Sequence, residues 1–93
     1  MKFKDKVVFI TGGTKGLGKA MAKAFLAEGA SVAVNGRNKE AATKFEEEFQ
    51  GKSVLAFNAD ITNYDEMGHV ASKVVELWGK VDILINNAGI VNP

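Results

Sequence analysis

Eight residues near the start of the chain, Thr11-Gly12-Gly13-Thr14-Lys15-Gly16-Leu17-Gly18, have the make-up of an anion-binding turn. They follow an apolar run at residues 7–10 and lead into a stretch with helical patterning. That order suits phosphate chemistry. A strand end aims the turn, the absent Cβ atoms let backbone approach a pyrophosphate, and unpaired N–H groups at the helix start face the anion. The spacing is G-x-x-x-G-x-G, distinct from the G-x-G-x-x-G of many dinucleotide sites. Glycines also mark ordinary tight turns, so the reading depends on the elements around them.

Those elements alternate. Residues 7–10 read as a strand, and residues 15–28 as a helix with Leu17, Ala20, Met21, Ala24 and Phe25 at the spacing of one buried face. Gly29 closes that helix. Residues 31–35 form a second strand. Residues 40–50 form a second helix with Ala41, Phe45 and Phe49 inward, ended by Gly51. Residues 53–58 are a third strand. Thr62 is expected to cap the next helix through a Thr62-x-x-Asp65 box. Its buried stripe is Met67, Val70, Ala71, Val74, Leu77 and Trp78; Gly79 ends it, and residues 81–86 are the fourth strand.

The order β-α-β-α-β-α-β implies a parallel sheet with right-handed crossovers. The expected fold class is therefore α/β, a Rossmann-type sheet of strand order 3-2-1-4, half of a doubly wound fold in one domain over residues 1–93. In such a sheet ligands bind where the order reverses, here at the carboxyl ends of strands one and four.

Composition narrows the function classes. The chain is 46% hydrophobic and 25% charged, as ordinary globular domains are. A net charge of +1 gives no reason to expect nucleic acid or an anionic membrane as a partner. Without cysteine there is no disulfide, thiolate metal site or Cys nucleophile, which fits a reducing compartment. The first apolar run is shorter than the roughly 7–15 residues of a secretion signal, and no run approaches membrane-spanning length, so a cytoplasmic protein is expected.

Three motifs carry a family resemblance across essentially all 93 residues: the glycine-rich turn at 11–18, Asn58-Ala59-Asp60-Ile61 after the third strand, and Asn86-Asn87-Ala88-Gly89 after the fourth. Together they resemble the N-terminal part of the short-chain dehydrogenase/reductase family, with the closest likeness to NADPH-dependent 3-oxoacyl-(acyl carrier protein) reductases and related carbonyl reductases. The resemblance implies that Gly12, Gly16 and Gly18 shape the turn under the cofactor phosphates, with contacts added by Thr14, Lys15 and Leu17. It implies that Asp60 holds the adenine edge with backbone help from Ile61, although a helix-flanking polar residue is an alternative reading of Asp60. Asn87, Ala88 and Gly89 match positions along the adenosine ribose and the approach to nicotinamide. Asn86 reads as a structural tie at the strand end, and Gly89 could serve only to let the chain turn.

Cofactor choice follows from charge. NAD sites place an acidic residue near the end of the second strand, where it bonds ribose hydroxyls and repels a 2′-phosphate. The family's acidic position matches Gly36, and Arg37 follows with a planar fork suited to phosphate. Lys15 can reach the same group. NADP(H) is the expected cofactor.

The family's catalytic pattern is a Tyr-x-x-x-Lys pair with Ser and Asn. The one tyrosine, Tyr64, has Gly68 four residues on; Ser31, Ser53 and Ser72 fall in strand or helix patterns, and His69 lies off its helix's buried stripe. The 93 residues are thus expected to bind cofactor without catalysing, with no catalytic or metal-ligating residue among them. A partner half is one expected companion. The other is a second copy, pairing into a homodimer or higher assembly through the apolar edge of strand four. An excised or designed βα scaffold with an idle turn is the competing reading.

Overall fold

A computed structural model describes residues 2–60 and 62–87. The elements run β1 (Val7–Thr11), α1 (Gly16–Ala27), β2 (Ser31–Gly36), α2 (Lys39–Glu48), β3 (Val54–Asn58), α3 (Tyr64–Trp78) and β4 (Ile83–Asn86). The four strands form one parallel sheet in the order β3-β2-β1-β4, as expected. Strands β1 and β2 are apolar on both faces because helices cover both. Val8, Ile10, Val32 and Val34 pack under α1 and α2 with Ala22, Leu26 and Phe45. Val7, Phe9 and Ala33 pack under α3 with Val70 and Val74.

The start of β4 is pinned to the start of β1 by a reciprocal pair: the Val7 N–H donates to Asp82 Oδ2 at 2.8 Å and the Asp82 N–H to the Val7 carbonyl at 2.9 Å. Lys80 Nζ lies 3.1 Å from the same carboxylate oxygen. The Val7 N–H first, then Lys80, holds the Asp82 carboxyl below its ordinary pKa. Helices α1 and α2 are bridged at the surface by Lys19 and Glu48, 2.5 Å apart, a pair of the exposed kind worth about 0–1 kcal/mol.

Several local expectations are corrected. In α1 the inward residues are Gly18, Ala22 and Leu26, with Met21 and Phe25 half-buried, whereas Leu17, Ala20 and Ala24 face out. Gly18 fits this rotation: a Cβ there would run into the Gly12 carbonyl oxygen and lie 2.8 Å from Asn87 Nδ2 and 2.9 Å from Gly13 Cα, so only glycine allows this face to lie against the turn. In α2 the inward alanine is Ala42 in place of Ala41, and Phe49 is half-buried. Leu77 is exposed at the far end of α3. The α3 cap is Asn63, whose side chain accepts the Glu66 N–H at 3.0 Å. Thr62 instead donates its hydroxyl to Asp60 Oδ1 at 2.7 Å.

Candidate functional site

At the carboxyl ends of β1 and β2 a cleft of about 420 Å³ opens between the glycine-rich turn and the segment after β2. Gly12, Thr14 and Lys15 line it from one side, Gly36, Arg37 and Asn38 from the other, with Asn35 at its floor and Thr62 at its rim. This cleft lies between β1 and β2. On the β4 side the described wall ends at Asn87, and Ile61, Ala88 and Gly89 lie outside the described residues.

The turn owes its path to two left-handed glycines, Gly12 at φ 68° and Gly16 at φ 56°. Between them Lys15 takes the N-cap position of α1 in extended conformation and makes no side-chain cap. The N–H groups of the first helical turn, on Gly16, Leu17 and Gly18, have no partner inside the helix by its geometry. The first turn also carries no acidic residue to oppose the helix dipole. Helices α2 and α3 differ on both points: Asn38 and Asn63 cap them, and Glu40, Asp65 and Glu66 sit in their first turns.

Asn35 holds the turn in place, and nothing in the apolar pattern of β2 points to it. It is 1% exposed. Its side-chain oxygen accepts the Gly12 N–H at 3.2 Å, its main-chain carbonyl accepts the Gly13 N–H at 3.2 Å, and Nδ2 donates to the Ala59 carbonyl at 3.2 Å. One buried carboxamide thereby ties the β1–α1 turn to the β3–α3 connection. The visible signal was a polar residue closing an otherwise apolar strand, which reads equally as a strand end. On the other flank Asn87 Nδ2 donates to the Gly12 carbonyl at 3.3 Å, and Thr11 Oγ1 donates to Asn86 Oδ1 at 3.0 Å, which gives Asn86 the structural tie expected of it.

Two cations, Lys15 and Arg37, thus border one cleft. Asp60 stands beside it rather than in its lining. Its Oδ1 accepts the Thr62 N–H at 2.9 Å as well as the Thr62 hydroxyl. Those two bonds, and then the nearby Arg37 charge, keep the Asp60 carboxyl below its ordinary pKa. Leu17 is 64% exposed, its side chain off the core and its N–H in the first turn of α1. Tyr64 is 91% exposed and His69 is on the surface, outside the cleft lining. Among the described residues no cluster of three or more His, Asp or Glu side chains could hold a metal ion. No helix among them is long and apolar enough to cross a membrane.

An uncapped helix start and glycines that leave room beside it suit a phosphate-bearing ligand, and two cations border the same cleft. Comparison with known proteins shows the family. Residues 6–93 match the family model for short chain dehydrogenases. The chain is 47% identical over 90 residues to the uncharacterized oxidoreductase YvrD of Bacillus subtilis (strain 168), covering 96% of this chain and 34% of that protein. It is 38% identical over 96 residues to the 15-hydroxyprostaglandin dehydrogenase [NAD(+)] of Bos taurus, covering 99% and 36%. A crystal structure of a short chain dehydrogenase from Bacillus anthracis str. 'Ames Ancestor' superimposes with a TM-score of 0.85 at 40% identity, over 91% of this chain and 35% of that one. The chain spans about a third of the length of the curated relatives it matches. With helices on both faces of its parallel sheet and its glycine-rich turn over an uncapped helix, the chain belongs to the short chain dehydrogenase family.

Proposed function

We propose that this chain is the NADP(H)-binding part of an oxidoreductase that reduces a carbonyl group. The observation that carries the reading is the cleft itself: Lys15 and Arg37 border it while glycine, with no charge, stands at residue 36. When bound, the cofactor supplies a hydride. The chain's own residues hold and orient it. The first-turn amides of α1 receive the diphosphate, Arg37 and Lys15 the 2′-phosphate, and Asp60 with Thr62 the adenine edge. Asn35 and Asn87 keep the turn in the shape that presents those amides. None of the 93 residues forms a Tyr-x-x-x-Lys pair, since Gly68 follows Tyr64 by four. The proton for the developing alkoxide therefore comes from outside this segment, and the segment alone binds without turning over.

A second reading is NAD(H), the cofactor in the name of the Bos taurus relative. Calorimetric titration with NADPH and NADH separates the two. Loss of a charge-assisted phosphate contact costs about 1.5–3 kcal/mol, so NADPH should bind roughly 10- to 150-fold more tightly. Arg37→Ala should remove most of that preference while sparing NADH. Equal affinities, or a preference unchanged in Arg37→Ala, would refute the NADP(H) reading. Uptake of neither cofactor would favour the idle-scaffold reading instead.

A further inference from the structure

Gly36 closes β2 without needing to be glycine for its backbone. Its φ lies outside the left-handed region, unlike those of Gly12 and Gly16. It is buried, pairs with Asn58, and its carbonyl accepts the Ala59 N–H at 3.0 Å. What stands in the way of a side chain there is Thr14. A Cβ at residue 36 would stand 2.6 Å from Thr14 Oγ1, 3.2 Å from its Cγ2 and 3.5 Å from its Cβ. Both branches of the threonine lie against the position, so Thr14 must turn or retreat before residue 36 can carry any substituent.

We propose that Thr14 is a specificity-determining residue: by filling the space beside Gly36 it excludes the carboxylate that would recognise an unphosphorylated ribose, and so keeps the cleft selective for a 2′-phosphate. This rests on the NADP(H) reading and deepens it. Selectivity is then built from a repulsive element as well as an attractive one. Arg37 and Lys15 attract the phosphate, and Thr14 keeps an acidic residue from taking the place next to them. The consequence is a coupling between two residues separated in sequence and packed directly against each other. Gly36→Asp alone cannot make an NADH site, because the new side chain displaces Thr14 from the turn that Asn35 holds. Thr14→Ala leaves only its Cβ, 3.5 Å away and in ordinary van der Waals contact, and makes room for the acid.

The test is a double-mutant cycle on the purified chain, read first by thermal unfolding and then by binding. In the stability arm Gly36→Ala should lower Tm by about 5 °C or more in the parental chain and by about 1 °C in the Thr14→Ala background. The same loss in both backgrounds would overturn the steric pairing, with no cofactor involved. In the binding arm Gly36→Asp should weaken both cofactors about 10-fold or more, and adding Thr14→Ala should recover NADH binding at least about 10-fold over Gly36→Asp while NADPH stays weak. Gly36→Asp alone reaching the double variant's NADH affinity would overturn the role of Thr14. Binding of neither cofactor by the parental chain would overturn the cofactor reading and the specificity role together, and the stability arm would still decide the pairing.

Discussion

Replacing Asn35 by alanine tests how the phosphate turn is held. The carboxamide is 1% exposed, and its removal strips the Gly12 N–H and the Ala59 carbonyl of their partners at once. A buried polar group left unpaired costs about 1–3 kcal/mol. Two of them, with partial relief from water entering the cleft, give a loss of about 3 kcal/mol. For a domain of this size that corresponds to a fall in Tm of about 12–24 °C. Asn38→Ala supplies the control. Asn38 is exposed and makes one capping bond, to the Ala41 N–H at 3.1 Å, so its loss should cost about 1 kcal/mol. Thermal denaturation followed by circular dichroism measures both. An Asn35→Ala chain melting within about 2 °C of the parent would refute the clamp, as would a loss no larger than that of Asn38→Ala.

Other consequences follow from the same geometry. The Asp82 carboxyl has a folded pKa below its unfolded value of about 3.9, so the stability it contributes is present above that value and disappears as pH falls through the folded pKa. Resistance to urea should therefore fall below about pH 4, where the Asp60 carboxyl contributes as well, and Asp82→Asn should make that decline shallower; an unchanged slope would remove Asp82 as one of its sources. Gly16→Ala meets no atom within 4 Å but keeps φ at 56°, so it should cost about 1–2 kcal/mol by denaturant titration and weaken NADPH uptake. A stability loss below about 0.3 kcal/mol would mean the turn readily takes another path. We also propose that the chain self-associates through β4, the outer strand of the sheet among the described residues, on which Leu84 is 65% exposed. Light scattering should find dimers or larger species that Leu84→Lys dissociates, and a monomer at micromolar concentration would contradict the proposal.

The sequence was most readable where one force acted alone. Strands buried on both faces appear as unbroken apolar runs, and Gly29, Gly51 and Gly79 mark the helix ends by the positive φ values they adopt. The rotation of α1 was not readable. Its apolar residues fit two adjacent faces about equally, and the observed face is the one on which Gly18 lies against Asn87 and Gly13, a closeness local pattern does not encode. Asn35 escaped for the same reason: its side-chain partners Gly12 and Ala59 lie 23 and 24 residues away. The α3 cap falls one position beyond its sequence signal because Thr62 and Asn63 are both good N-cap types, and Asp60 engages the threonine hydroxyl. The cations Lys15 and Arg37 were legible as residues, but their meeting at one cleft between β1 and β2 required the fold.

We propose that a cofactor's adenosine phosphates sit on the turn and beside Arg37. The most direct test of this is an amide nitrogen–proton correlation spectrum of the chain during titration with NADPH and, separately, NADH. Saturable shifts are expected on Gly16, Leu17 and Gly18 with both cofactors, and on Gly36, Arg37 and Asn38 with NADPH above all. Shifts confined to the surface of α3, or equal at residues 36–38 for the two cofactors, would contradict it.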